Sequence, residues 1–327
     1  MSPHRVVLLI LLATLMVGLA GCGDLPSRSD RGKPEKVAAT RAEATTIFDR
    51  YADVRATAYD LLNPAPLGTI ESGSVLEIDA GAISVHRLLG EKAPDDAVSS
   101  SDMTVLDVYS PRFGEYPLWF VALVQDEDRD LTRVQVYERP SAAMQWALVA
   151  SPETTSEEVL PDLAFDAEGA LKTLSASDGA GLVDPPKRVV EDYANALANP
   201  NSAAAKSIAD DAFIEHVRES VRDFSGITGV KYEQTWKPKR VKYAVRTADG
   251  GALVFATFAR NERYRIKDGV YVDWPKGSPQ RAFLGGKLYA RGKLRYLHQV
   301  LLYVPESGDG KPHAIGQYGG IVDGEGY

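Results

Sequence analysis

An α+β fold of two lobes, each a curved antiparallel sheet packed on an N-terminal helix, is what the sequence predicts. Three observations carry this expectation. Helix-spaced apolar residues open residues 40–150 and again residues 185–327. In both stretches the chain then turns to short runs of alternating apolar and polar residues, as antiparallel strands require. Between them, residues 151–184 are rich in Ser, Asp, Gly and Pro and form a connector. With 44% hydrophobic and 25% charged residues, the 327-residue chain has the composition of a globular protein.

The chain begins with His4 and Arg5, an apolar run from Val6 to Leu15, and Leu19-Ala20-Gly21-Cys22. That order is the layout of a secretory signal peptide. The last four residues resemble the bacterial lipobox, which implies cleavage before Cys22 and a diacylglycerol thioether on its sulfur. Residues 1–21 are the expected signal peptide. The apolar run is short for a spanning helix, which needs ~20 residues. Cys22 is the only cysteine, so no disulfide is expected. Two acyl chains suffice for stable anchoring. Residues 22–39 are polar and form the expected tether, whose Gly23–Val37 part spans ~50 Å if extended.

Thr40 and Glu43 have the spacing of a capping box. Ile47, Tyr51, Val54, Ala58, Leu61 and Leu62 follow at helical spacing, and Asn63-Pro64 with Pro66 end that helix. Strands are expected at Val75 to Ile78, Met103 to Tyr109, Pro117 to Gln125, Leu131 to Arg139 and Gln145 to Ala150. The acidic run Asp126 to Asp130 connects two of them. In the second half, Asp184 caps a helix with Pro185 and Pro186 in its first turn, and Asn199-Pro200 stops it. A further helix spans Ser207 to Phe224 and is closed by Gly226. Val241 to Thr247 and Ala252 to Arg260 form a hairpin through Asp249-Gly250, and Tyr264 to Lys267 and Val270 to Trp274 another through Asp268-Gly269. A long strand covers Leu294 to Val304, and Ala314 to Val322 adds an edge strand. Helices followed by long antiparallel strands are similar in element order to NTF2-like and cystatin-like lobes, an analogy of architecture alone.

Beyond the lipobox, three segments carry a resemblance. They are Tyr116-Pro117-Leu118-Trp119-Phe120-Val121-Ala122, Pro185-Pro186, and Arg246-Thr247-Ala248-Asp249-Gly250-Gly251-Ala252-Leu253-Val254-Phe255. Together they resemble an uncharacterised family of secreted actinobacterial lipoproteins, a domain of unknown function. The resemblance implies an envelope protein and assigns no activity.

Candidate chemistry is sparse. His216 and Glu219 stand three residues apart on one helix face, a metal-ligand spacing without an evident third ligand. Asp126, Asp128 and Asp130 mimic the start of a calcium loop, but Leu131 and Tyr137 stand where such a loop needs glycine and glutamate. No nucleophile elbow, phosphate loop, zinc-protease motif or dinucleotide fingerprint occurs. No metal and no cofactor is therefore expected. His298, on the apolar face of its strand, is the one candidate general base, with Asp273 as a companion acid.

The formal charge is −8, and loss of Arg5 with the signal peptide leaves 36 basic against 45 acidic residues, or −9. This balance argues against a general nucleic-acid partner. The charge is unevenly spread. Residues 231–300 hold sixteen Lys or Arg against five acids, interleaved with Tyr and Trp, whereas residues 91–170 hold seventeen acids against five bases. A basic aromatic face binds anions by charge and stacking, and Lys239, Arg240 and Lys242 are its candidate residues. The expected function is a non-catalytic ligand- or protein-binding module on the outer face of the cell membrane, held there by lipid on Cys22. An envelope protein or an anionic wall polymer is the expected partner. The alternative is an NTF2-like hydrolase or isomerase using His298.

Overall fold

A computed structural model describes residues 36–94, 103–127, 129–155 and 159–327. The signal peptide, Cys22 and most of the tether lie outside the described residues, as does Asp128. The tether's last residues form β1 (Lys36–Val37), which pairs antiparallel with β3 (Arg112–Phe113). Helix α1 (Arg41–Asp60) starts with the expected capping box: Glu43 N–H donates to Thr40 Oγ1, and Thr40 N–H donates to Glu43 Oε2 at 2.8 Å. It ends two residues earlier than the proline signal, with Leu61 as its C-cap.

Helix α2 (Ser74–Leu89) corrects the expectation of a strand at Val75 to Ile78. Val75, Ile78, Ala82 and Val85 recur at spacings of three and four, and the β-branched residues among them mask that period. The boundaries are set by two glycines at positive φ, Gly73 at 65° and Gly90 at 69°. The Gly90 cap is the left-handed close common to many helices.

The first half then supplies β2 (Met103–Tyr109), β4 (Leu118–Asp126), β5 (Leu131–Arg139), β6 (Ala147–Ala150) and β7 (Glu153–Thr155). The acidic run connects β4 and β5, as expected. The second half begins with α3 (Pro186–Ala198), capped at Pro185 rather than Asp184, and α4 (Ala212–Ser225), capped by the Asp211 carboxylate. It continues through β8 (Val230–Pro238), β9 (Tyr243–Arg246), β10 (Ala252–Ile266), β11 (Val272–Asp273), α5 (Pro279–Leu284), β12 (Lys287–Leu288), β13 (Arg291–Val304) and β14 (His313–Gly326). The Asp268-Gly269 turn forms, but not the hairpin expected around it. Tyr264 lies inside the long β10, and β11 pairs with β12 instead.

Ten strands make one antiparallel sheet with its main path β2-β4-β5-β7-β14-β13-β10-β8. The halves join where Gln317 of β14 pairs with Glu153 of β7. Residues 36–327 are therefore one compact unit, and separate lobes at 40–150 and 185–327 are not seen. The connector contributes β7 itself, and Leu163 and Thr173 bridge to Thr247 and Val245 of the second half.

Strand alternation distributes the core. Phe120, Ala122 and Val124 of β4 face α1 and α2, while Val254, Ala256 and Phe258 of β10 face α3 and α4. The opposite faces meet each other: Trp119, Val121, Val134 and Val136 pack in one cluster with Tyr243, Val245, Leu253, Phe255 and Leu301. Trp119 and Tyr243 touch edge-on with centroids 5.4 Å apart. Each half-sheet thus carries its own helices outside and shares a central core with the other.

Candidate functional site

Two strand interruptions face each other across this shared core. Beside β10, the edge formed by β8 and β9 breaks between Pro238 and Tyr243. Four residues, 239–242, stand there against two of β10, Ala256 and Thr257. Lys239 N–H still reaches Thr257 O at 2.8 Å. Beside β5, the line of strands formed by β6 and β7 breaks between Ala150 and Glu153. Surplus residues such as 239–242 leave the ladder and bulge from the strand line.

The gap between the breaks is a cleft of about 260 Å³ lined by Lys239, Arg240 and Lys242, by Glu138, and by Ser72 to Ser74 at the start of α2. All three basic candidates thus line one cleft. Residues 239–242 lie outside the strands, so strand alternation does not divide them.

The cleft floor is fixed by Gln299 of β13, which is 1% exposed. Its Nε2 donates to Ser74 Oγ at 2.7 Å and to Val149 O at 3.0 Å, while its Oε1 accepts from Ser151 N–H at 2.8 Å. One side chain therefore ties the start of α2 to the β6–β7 break. Two of the cations have acidic neighbours: Lys239 lies 3.6 Å from Glu77, and Lys242 lies 3.9 Å from Glu138. Glu138 also accepts from Tyr243 Oη at 2.5 Å, and burial with this acidic neighbour holds the phenol proton above its usual range. Arg240 has no ion-pair partner among the described residues. The start of α2 has no side-chain cap, and its peptide dipoles add a positive potential at the same mouth. This assembly can hold an anionic group.

His298 is in a different setting. It is 7% exposed, and neither ring nitrogen has a hydrogen-bond partner. Phe213, Trp236 and Tyr296 surround it with centroids 5.2, 5.2 and 5.9 Å away. Burial, then the positive charge of Arg260 and that of His216, hold its pKa well below the ordinary value. Asp273 lies on β11 and is within 4.0 Å of Arg281. The structure does not bring it to His298 as a hydrogen-bonded acid. His216 and Glu219 stand on α4, where Glu219 approaches Arg222 at 3.7 Å.

Sequence reasoning found the three cations but missed their companions Ser74, Glu138 and Gln299. Gln299 offered no signal, since a buried glutamine in a strand reads as a solvent-facing one. Gly73 before a helix start was a usable signal for the uncapped end of α2.

Comparison with known proteins agrees with the lipobox. The chain is 24% identical over 301 residues to an uncharacterized lipoprotein of Streptomyces coelicolor, SCO6871, covering 86% of this chain and 84% of that one. It is 23% identical over 296 residues to a second uncharacterized lipoprotein of the same organism, SCO2278, covering 88% and 86%. No solved structure matches the chain. Residues 35–326, nearly the whole described body, match one family model, and the chain belongs to that family, the domain of unknown function DUF8094.

Proposed function

We propose that the protein is a lipid-anchored, non-catalytic binding module on the extracytoplasmic face of the cell membrane, and that its basic cleft holds an anionic group of the envelope. The observation that carries this reading is the convergence of Lys239, Arg240 and Lys242 on one cleft beside the uncapped start of α2. Its volume suits a single headgroup-sized phosphodiester or carboxylate. Such a group occurs both in lipid headgroups and along anionic wall polymer.

Anchoring through Cys22 is supported by the lipobox and by relatives that are named lipoproteins. Replacing Cys22 with Ala is expected to abolish lipid labelling in cells and to release or stall the protein; unchanged labelling would refute the anchor. The enzyme reading gains no support from His298, whose ring is packed among aromatic side chains without a hydrogen-bonded acid.

The cleft is tested by co-sedimentation of the chain from residue 23 onward, which contains the compact unit without the acylated cysteine. Vesicles of phosphatidylglycerol are compared with phosphatidylcholine, and soluble wall polymer serves as competitor. Binding is expected to fall steeply from low to physiological salt, because charge contacts are screened. Joint reversal of Lys239, Arg240 and Lys242 to Glu is expected to remove it without lowering Tm. Equal binding to neutral vesicles, or indifference to the reversal, would refute the cleft as the anion site.

A further inference from the structure

A second cleft lies along α2. It has a volume of about 340 Å³, within the range of small-ligand sites. One wall is apolar: Ile78, Ala82 and Val85 of α2, with Ile321 of β14, Pro94 and Pro279. The polar side chains are Arg55, Arg129, Arg133, His86, Tyr59 and Tyr318. Among the described residues no acidic side chain lines the cleft.

The acids that neutralise these arginines stand behind them. Arg55 Nε meets Asp79 Oδ2 at 3.1 Å. Arg133 reaches Asp126 and Glu153, each at 3.1 Å, and Arg129 reaches Glu153 at 3.4 Å. Arg133 is 5% exposed, and with both terminal nitrogens engaged its Nε–H has no partner. The buried His86 Nδ1 has none either. Tyr318 donates to Asp79, so its hydroxyl is committed.

A further acid, Glu71, is 1% exposed. Burial, then the negative charge of Asp79, push its pKa well above the ordinary value, so it stays protonated more readily than a surface carboxyl. Asp79 moves the other way. Burial opposes ionisation, but the Arg55 charge and the hydrogen bonds from Tyr318 and Arg55 outweigh it. Among the described residues the guanidiniums of Arg55, Arg129 and Arg133 thus stand against the carboxylates of Asp79, Asp126 and Glu153, with Glu71 resisting ionisation beside them.

A reason for the opening is visible in β14. Gly320 lines the cleft, and a Cβ there would meet nothing closer than Ile78 Cγ2 at 4.0 Å. Its φ is not in the left-handed region, so a side chain is compatible with the backbone.

We infer that this cleft binds a singly charged amphiphilic anion, an acyl carboxylate of medium chain length, with the chain along Ile78, Ala82, Val85 and Ile321 and the carboxylate at Arg133 Nε and His86. The unpartnered Arg133 Nε–H selects a hydrogen-bond acceptor, since a buried unpaired N–H is costly. The balanced charge behind it favours one negative charge over two, because each uncompensated charge in a half-buried site adds desolvation cost. The apolar wall supplies the remaining contact.

Octanoate is the probe, titrated calorimetrically into the chain from residue 23 onward, with octanol and acetate as comparisons. Octanoate is expected to bind saturably and to raise Tm as ligand binding to the native state requires. Octanol lacks the charge and acetate lacks the chain, and each is expected to bind about ten- to a hundredfold more weakly. Gly320→Leu fills the cleft and is expected to weaken octanoate about tenfold or more while leaving the far-UV circular dichroism unchanged. His86→Ala, at the rim, is expected to weaken octanoate but not octanol. No saturable octanoate binding, equal binding of octanol, or binding indifferent to Gly320→Leu would each overturn the inference. The Lys239, Arg240 and Lys242 reversal is expected to leave octanoate binding intact, so this cleft and the anion cleft succeed or fail separately.

Discussion

The two halves of the chain each bury an arginine–carboxylate pair with tyrosine donating to the acid, yet the arginine of the first lines the cleft along α2, whereas that of the second lies among aromatic rings. In the first cluster, Arg55 of α1 pairs with Asp79 of α2 and lies over the Tyr59 ring at 4.4 Å, and Tyr318 of β14 donates to Asp79. In the second half, Arg260 pairs with Glu262 at 3.3 Å and lies over the Tyr296 ring at 3.7 Å. Tyr232 and Tyr264 donate to Glu262 at 2.8 and 2.7 Å. The chemistry is nearly the same, and the neighbours differ. Beside the first cluster stand Ala82 and Gly320; beside the second stand Phe213, Trp236, Tyr296 and His298. The side chains packed around the charge pair, rather than the pair itself, decide whether its arginine meets an opening.

The sharpest way to break this comparison is to remove each arginine. Arg260→Ala leaves Glu262, 2% exposed, buried without its counter-charge, which is expected to cost about 3–5 kcal/mol in urea denaturation. Arg55→Ala is expected to cost less, about 2–3 kcal/mol, because water entering the adjacent cleft offsets part of the loss. Equal costs would show that the cleft does not relieve its charge cluster.

Removing one tyrosine hydroxyl is the next step down. Tyr264→Phe deletes a hydrogen bond to a buried carboxylate and is expected to cost about 1.5–3 kcal/mol. Tyr318→Phe, at the cleft, is expected to fall at the lower end of that range. A reversed order would put the better-shielded cluster in the first half.

Two further substitutions act through pH, with opposite signs. Glu71 has a raised pKa, so its contribution is complete below the ordinary value of 4.5 and is lost as pH rises through the folded value. Glu71→Gln removes that loss and is expected to flatten the decline of stability on the alkaline side, by at most about 1.4 kcal/mol per pH unit. His298 has a lowered pKa, so its contribution is complete above 6.5 and is lost as pH falls through the folded value. His298→Leu is expected to flatten the acid side and to change stability at neutral pH by only about 1 kcal/mol, in the stabilising direction, since an unpartnered imidazole is removed. Denaturation series across pH check both, and unchanged slopes would mean that neither group titrates differently on folding.

How much of this was legible in the sequence depends on where each signal resides. The capping box at Thr40 and Glu43 is a local signal, and it formed as expected. The β5 strand, Leu131–Arg139, was legible to the residue because its alternation is regular and the acidic turn marks its start. Helix α2 was misjudged because Val75, Ile78, Ile83 and Val85 favour strands locally, while its packing on β14 is long-range. The single sheet was hidden for a related reason. Among the described residues it closes through the pair Gln317 with Glu153, separated by half the chain and marked by no pattern in either residue. At the basic cleft, composition exposed the three cations because like charges cluster in sequence. The buried partners that shape the clefts, Gln299, Asp79 and Glu71, are polar residues that composition assigns to the surface.

One contact on α2 bears on both clefts. A Cβ at Gly81 would stand 2.2 Å from Ile321 O, so at this point main chain rests directly on main chain. The helix, about 24 Å long by its sixteen residues, presents its start to the basic cleft and its flank to the apolar one. Its stand-off from the sheet is thus set by covalent geometry, with no side chain in between to swell or shrink. Mutation elsewhere on α2 can repaint the walls of either cavity while the frame that spaces them stays put. Two recognition surfaces can diversify independently on such a frame because neither has to carry the beam they share.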